Sequence, residues 1–123
     1  MRFILIHKAD DNTEAVKNPP PELMQELGKF IGEMMAAGKV LSSEGLMPSS
    51  GGTRVRVSRN RIKVTDGPFS ESKEVVGGFA IVQVDSKEEA VEIGRRWMQI
   101  HGDVLGPDYE GEGEIRQLYD FGG

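Results

Sequence analysis

The sequence predicts an α+β domain in which two helices cover one face of an antiparallel β-sheet. Two segments carry apolar residues at helical spacing, several short segments are rich in β-branched residues, and glycine or proline separates most of them. A chain of 123 residues corresponds to one domain, which we expect to span residues 1–123. With 37% apolar and 28% charged residues, the composition is that of a folded globular protein.

The first part of the chain predicts strand, helix and strand in that order. Residues 2–8 contain four consecutive apolar residues among β-formers, which indicates a strand with both faces covered. We expect a loop from Asp10 to the proline run. Apolar residues spaced by three and four then predict a helix over 21–37 that Gly38 ends. Residues 40–46 follow as a short strand.

A β-hairpin is predicted in the middle of the chain, because residues 54–57 and 62–65 alternate strictly between polar and apolar side chains. The apolar positions are expected to lie on the inner side; they are Val55, Val57, Ile62 and Val64. Residues 75–84 then predict a long strand, which Gly77-Gly78 is expected to bend or bulge.

The last part of the chain predicts a second helix and a final strand. Residues 86–89 form a capping-box pattern, in which serine and glutamate satisfy the first free amides of a helix. We predict a helix over 87–100 that ends at Gly102. Residues 103–113 are expected to be an acidic, glycine-rich loop, and 114–119 the last strand.

This order of elements is the ferredoxin-like βαββαβ plan with an inserted β-hairpin. Both helices then lie on one face of the sheet. The other face also carries apolar residues, Ile4 and Ile6 or the alternating pair Phe3 and Leu5, and these need a cover. A second copy of the sheet is the simplest cover, so we expect a homodimer. The alternative is a monomer whose hairpin folds across that face.

Composition excludes several classes of function. Without cysteine the chain has no disulfide, no thiolate metal site and no cysteine nucleophile. The longest apolar run, Phe3 to Ile6, is too short for a membrane span or a signal peptide, so we expect a cytoplasmic protein that does not bind membranes. A net charge of −5 argues against nucleic-acid binding. Neither a metal-ligand spacing nor a phosphate-binding glycine motif is present, so we expect no metal and no cofactor.

Three segments carry a resemblance to a known family. Residues 65–74, TDGPFSESKE, resemble the signature TDGPF-x-E-x-KE of the DGPF branch of the YCII-related superfamily. Residues 41–49, LSSEGLMPS, are similar to the same branch's GEGL-x-P segment, and residues 111–115 also match. The resemblance implies a dimeric α+β barrel built from ferredoxin-like protomers, and it implies little about activity. The wider family carries a proposed His–Asp pair, but Glu22 stands where its histidine is expected, so that pair does not carry over.

Carboxylates are the first candidates for acid–base chemistry. Asp66 either stabilises a turn by accepting backbone amides or presents a catalytic carboxylate at the mouth of the barrel. Glu44 either is exposed or points into the barrel, where burial would make it an acid or base. Glu71 and Lys73 form either an exposed ion pair or a clamp for an anionic ligand. Phe69 is expected to anchor this ligand-binding loop.

The first strand ends in two further candidates. His7 is predicted to assist catalysis, since histidine titrates near neutral pH, and Lys8 to contact the ligand. A structural role for His7 is the alternative. His101 is interpreted as a helix terminator that suits the helix dipole, and Trp97 as a core residue without a functional role.

Ten consecutive residues of the predicted hairpin contain five cations: Arg54, Arg56, Arg59, Arg61 and Lys63. They form a solvated face, an anion-binding strip or a contact for the acidic segment of a partner. Taken together, the sequence predicts an α+β barrel that binds a small polar or aromatic acid, with cofactor-free isomerase- or lyase-like chemistry. The alternative is a non-catalytic module that acts through a protein partner.

Overall fold

The described residues form one four-stranded sheet, one separate two-stranded hairpin, three α-helices and a short 3-10 helix at Ser49–Gly51. The structure is a computed structural model that describes residues 1–10, 14–69 and 75–121. The strands are β1 (Arg2–Ala9), β2 (Val40–Gly45), β3 (Thr53–Ser58), β4 (Arg61–Asp66), β5 (Val75–Gln83) and β6 (Glu112–Gln117). The helices are α1 (Glu14–Lys17), α2 (Pro21–Ala36) and α3 (Lys87–Leu105).

The four-stranded sheet has the order β2-β5-β1-β6, and all its paired strands are antiparallel. Strands β1 and β5 are therefore central, whereas β2 and β6 form the two edges. Helices α2 and α3 contact each other, and both contact strands of this sheet. The predicted α+β class and its ferredoxin-like plan are confirmed, with β3 and β4 as the inserted hairpin.

The alternation of side chains along β1 separates two faces of the sheet. Phe3, Leu5 and His7 are buried, whereas Ile4 and Ile6 between them are half-buried. Phe3 and Leu5 join an apolar core with residues of both long helices, as predicted for helices on one face. Its fully or nearly fully buried members are Phe3, Leu5, Phe30, Val40, Ala80, Val82, Val84, Ala90, Ile93 and Trp97.

The starts of both long helices follow the predicted signals. Pro21 occupies the first turn of α2, where its missing amide hydrogen costs no helical hydrogen bond. The Ser86 hydroxyl accepts a hydrogen bond from the Glu89 amide at 3.1 Å and caps α3. After α2, Gly38 adopts φ +73°, a conformation that favours glycine.

Three predicted boundaries are wrong. Helix α3 runs through Gly102 to Leu105 and ends at Gly106, which adopts φ +91°. The helix continues because the half-buried Leu105 extends the stripe of Trp97 and His101 by one more turn. The predicted loop 103–113 is correspondingly shorter, and β6 begins at Glu112. The predicted loop before the prolines also contains the short helix α1.

The apolar side of the hairpin is not an inner side within this chain. Val55, Val57, Ile62 and Val64 are each between 63% and 67% exposed. Among the described strands, β3 and β4 pair with each other and with no other strand. The alternating pattern specified the hairpin correctly, but alternation alone does not state what the apolar side packs against.

Candidate functional site

A cavity of about 560 Å³ lies between α2, the helix-facing side of the sheet and the C-terminal part of α3. Its walls are mainly apolar, and they include Leu23, Leu27, Ile31, Leu46, Pro48 and Leu105. Volumes of this size are typical of sites for small molecules. The polar side chains among its lining residues are His7, Lys17, Ser43, Glu44, His101 and Tyr109.

Four rings form the floor of this cavity, and we call them the ring cluster: His7, Trp97, His101 and Tyr109. The rings of His7 and His101 are stacked with centroids 4.4 Å apart. The edge of Trp97 meets His101 at 5.7 Å and nearly at a right angle. Aromatic packing of this kind holds the polar rings in one orientation.

The topology brings the ring cluster together. His7 lies on the helix-facing side of β1, and Trp97 and His101 lie one turn apart on α3. Tyr109 follows the end of α3 and returns over the sheet to place its hydroxyl oxygen 2.5 Å from His7 Nε2. Residues separated by about a hundred positions in the chain therefore share one hydrogen bond.

A hydrogen bond also defines which tautomer the neutral His101 ring adopts. Its Nδ1 lies 2.9 Å from the carbonyl oxygen of Trp97. Because a carbonyl oxygen only accepts, Nδ1 is the donor, and Nε2 of the neutral ring is an acceptor.

Burial keeps the ring cluster uncharged. It lowers the pKa of His7 to about 4, and repulsion from His101 lowers this pKa as well. Burial also lowers the pKa of His101, although the hydrogen bond to the Trp97 carbonyl opposes the change. The pKa of Tyr109 is raised by burial to about 12. At pH 7 both imidazoles are therefore neutral and the phenol is protonated.

The glycine pair in β5 makes room for this arrangement, and the predicted bulge is confirmed. The strand register shifts between His7 and Lys8, so that Gly77 has no partner on β1. A Cβ atom at Gly77 would lie 3.0 Å from His7 Nδ1. A Cβ atom at Gly78 would lie 3.0 Å from the carbonyl oxygen of Glu44. Any larger residue would therefore displace the histidine or strand β2.

The structure brings together two of the predicted site residues. His7 lies in the floor of the cavity, and Glu44 lies at its rim with an exposed side chain. Of the two alternatives left open for Glu44, the structure shows the exposed one, and its acid–base role stays a prediction. Glu22, where the wider family has histidine, is exposed in the first turn of α2 and is not a lining residue of the cavity.

Asp66 and Phe69 lie at the base of the hairpin and not among the residues that line the cavity. The Asp66 carboxylate accepts a hydrogen bond from the Thr53 hydroxyl at 2.8 Å. The guanidinium carbon of Arg54 lies 3.7 Å from the centre of the Phe69 ring, which places a cation over its face. A Cβ atom at Gly67 would lie 2.7 Å from the Ser50 carbonyl oxygen, so glycine permits this close approach. The DGPF segment thus closes the hairpin base, and catalysis by Asp66 stays a prediction.

The remaining candidates are placed elsewhere or not described. The Lys8 ammonium lies 2.5 Å from a carboxylate oxygen of Glu114, and Lys8 is not among the lining residues. Glu71 and Lys73 lie outside the described residues.

Sequence reasoning missed Trp97, His101 and Tyr109. The signal for two of them was available, because Trp97 and His101 lie on the same predicted face of a helix as the core residues. His101 was interpreted as a terminator only because the helix was predicted too short. Tyr109 was assigned to a loop, and no pattern in the sequence indicates its contact with His7.

Two kinds of feature are absent from the described ranges. No group of three or more His, Asp or Glu side chains there is arranged to hold a metal ion. Within the same ranges, no helix has the length and apolar character needed to cross a membrane.

The fold and the cavity define an α+β protein of the ferredoxin-like plan with a buried ring cluster. The chain belongs to the family of YCII-related domain proteins, whose model matches residues 1–101. The match includes His7 and His101, whereas Tyr109 lies beyond it. The chain is also similar to an uncharacterized protein of Rhizobium meliloti (strain 1021), with 30% identity over 79 residues. That alignment covers 64% of each chain, so this protein spans less than two thirds of the relative's length.

Proposed function

We propose that this protein binds a small, uncharged and largely apolar molecule whose polar group contacts His7 and Tyr109. The single observation that carries the proposal is the neutral ring cluster at the floor of an apolar cavity. The walls provide apolar contact, and the floor provides hydrogen-bond donors and acceptors that orient the ligand. A phenol, an enol or a cyclic carbonyl compound fits this description.

The electrostatics disfavour an anionic ligand. An anion needs a cation beside it when it leaves water. Lys17 is the only lysine or arginine among the cavity's described lining residues, and it is exposed at the rim. Glu44 adds a negative charge at the same rim. A neutral ring compound is therefore favoured over the aromatic acid that the sequence predicted.

Proton transfer is a second candidate function, favoured by the hydrogen bond between His7 and Tyr109. A neutral imidazole can accept a proton, and the protonated phenol beside it can stabilise an oxyanion by donating a hydrogen bond. Such a pair suits the removal of a proton next to a carbonyl group. A pKa of about 4 makes His7 a weak base, so ligand binding is the function that the geometry supports best.

Binding can be tested with two probes that share a ring system and differ in charge. At pH 7.5, 1-naphthol is neutral and 1-naphthoate is an anion. We expect calorimetric titration to give tighter binding of 1-naphthol. The Tyr109→Phe variant should weaken that binding by about 3- to 10-fold, which corresponds to the loss of one hydrogen bond.

Tyr119→Phe is the matched control, because Tyr119 is 80% exposed and is not a lining residue. It should leave the affinity unchanged. Tighter binding of 1-naphthoate, equal losses in both variants, or no binding of either probe would contradict the proposal.

Proton transfer has its own test. We expect the wild type to accelerate the exchange of the acidic carbon-bound protons of 2-tetralone in deuterium oxide, as followed by NMR. The His7→Gln variant should exchange them at the buffer rate. A wild-type rate equal to that of buffer would restrict the site to binding.

A further inference from the structure

The polar rings of the ring cluster are nearly parallel and held in place by their neighbours. The planes of His7 and Tyr109 differ by 15°, and the two rings share a hydrogen bond. His101 stacks on His7 with an interplanar angle of 17°. Trp97 stands at 86° to His101 and packs its edge against that ring. The nitrogen and oxygen atoms of the three polar rings therefore occupy fixed positions in the floor of the cavity.

The Nε2 atom of His101 is an acceptor that no other described group uses. Nδ1 donates to the Trp97 carbonyl, so Nε2 of the neutral ring carries a lone pair. Within the described part of the chain, no hydrogen bond or ion pair involves Nε2. Every fully buried polar side-chain atom there has a partner, so Nε2 is not sealed inside the protein. Because His101 is only 4% exposed and lines the cavity, Nε2 opens into the cavity.

The His7–Tyr109 pair offers the cavity one hydrogen-bond donor, whichever way its own hydrogen bond runs. Neutral His7 carries one N–H and Tyr109 one O–H, so the pair holds two protons. One of them lies between His7 Nε2 and the Tyr109 hydroxyl oxygen. The other is either on His7 Nδ1 or on the hydroxyl. Since both residues line the cavity, this second proton is left for a ligand.

We propose that the cavity selects a neutral ring compound with a hydrogen-bond donor and an acceptor on neighbouring atoms, as in the N–H and C=O of a cyclic amide. The ligand's donor binds His101 Nε2, and its acceptor receives the remaining proton of the His7–Tyr109 pair. The centroids of the His7 and His101 rings are 4.4 Å apart, so both contacts fall within one small group. This inference rests on the proposed binding function and names the class of ligand within it.

Compounds with only half of this pattern leave a protein group unpaired. An N-alkylated amide, an ether or an ester has no donor, so it would cover His101 Nε2 without giving it a hydrogen bond. Sites that hydrogen-bond a particular group discriminate strongly against analogues that lack it, whereas apolar walls alone discriminate weakly. A cyclic amide also carries no net charge, so it enters the apolar cavity without the cost of desolvating an ion.

Three related lactams test the proposal by calorimetric titration at pH 7.5: 2-quinolinone, its N-methyl derivative and its 4-methyl derivative. The 4-methyl compound adds the same methyl group but keeps the N–H, so it controls for size. The wild type should bind 2-quinolinone and its 4-methyl derivative about 3- to 10-fold more tightly than the N-methyl derivative. That ratio corresponds to the loss of one hydrogen bond.

Two variants separate the acceptor from the donor. His101→Phe keeps a ring but removes Nε2, so 2-quinolinone and its N-methyl derivative should bind this variant within about twofold of each other. Gly111→Ala is the matched control, because a Cβ atom there would overlap the Tyr109 hydroxyl and displace it. It should weaken the binding of both compounds, which share the carbonyl group, and leave their ratio unchanged. Circular dichroism checks that each variant is folded.

Nitrogen NMR of the wild-type histidine rings gives a readout that needs no variant. The His101 Nε2 resonance should shift in the direction of a hydrogen-bonded nitrogen with 2-quinolinone and not with the N-methyl derivative.

Four results would overturn the proposal: no binding of 2-quinolinone, equal wild-type affinities for it and the N-methyl derivative, equal weakening by both methyl groups, or a preference that persists in His101→Phe. 1-Naphthol, titrated alongside, reports the proposed binding function separately. If 1-naphthol binds and the lactams are not discriminated, the donor–acceptor proposal fails and the binding function stands. If 1-naphthol does not bind, the binding function fails.

Discussion

The ring cluster and the hairpin place ionisable side chains in opposite environments, one buried and the other exposed to solvent. His7 and His101 are buried, and the loss of hydration makes them neutral near pH 7. The hairpin's arginines are exposed, so they keep their charge and their water. The floor of the cavity is therefore dry and uncharged, whereas the hairpin presents a hydrated surface rich in basic residues.

The comparison also separates two kinds of apolar residue. The apolar residues beside the ring cluster belong to a core from which folding of the single chain already excludes water. Those on the hairpin remain exposed after the chain has folded, so their apolar area contributes only when a second molecule covers it.

The largest difference should appear between Leu5 and Ile62. Leu5 is 1% exposed in the core, whereas Ile62 is 67% exposed on the hairpin. Leu5→Ala should lower the free energy of unfolding by about 2–5 kcal/mol, because it removes buried methyl groups and leaves a cavity. Ile62→Ala should change it by less than about 0.5 kcal/mol.

Chemical denaturation of both variants, at a concentration where the chain is monomeric, measures these changes. A loss for Ile62→Ala as large as that for Leu5→Ala would show that the hairpin packs on its own core.

A smaller effect is expected from pH. The folded-state pKa of His7 is about 4, against 6.5 in the unfolded chain, so the unfolded chain binds more protons between these values. Stability should therefore be greatest above pH 6.5 and fall as the pH decreases towards 4. The contribution of His7 is on the order of 2 kcal/mol after allowance for partial solvent screening.

Urea denaturation across this pH range, on the wild type and on His7→Gln, separates the histidine from other titrating groups. The variant should show a flatter profile between pH 4 and 6.5. Identical profiles would mean that His7 is not the group responsible.

The smallest effect is expected at the base of the hairpin. Asp66→Asn keeps an oxygen that can accept the hydrogen bond from the Thr53 hydroxyl. Asp66 is also not among the residues that line the cavity. The variant should change stability by less than about 1 kcal/mol and leave 1-naphthol affinity within about twofold of wild type. Calorimetry and denaturation check both values. A large loss of affinity would instead support the catalytic role that the sequence predicted for this carboxylate.

Local patterns predicted most of the fold because their causes are local. Strand β1 follows from consecutive β-formers, and the cap of α3 follows from the spacing of Ser86 and Glu89. The bulge opposite His7 follows from adjacent glycines. The predicted end of α3 at Gly102 is wrong, because a glycine inside a helix costs only about 1 kcal/mol. The packing of Leu105 outweighs that cost.

The sequence by itself determined the α+β class, the order of the elements, the hairpin and the absence of any thiol chemistry. Hydrophobic periodicity, turn residues and composition act over a few residues, so they can be read along the chain. Only the tertiary structure decided that His7, His101 and Tyr109 form one buried group, that Glu44 remains exposed, and that the hairpin stands away from the core. Burial and protonation depend on contacts between residues far apart in the chain, and no local pattern contains them.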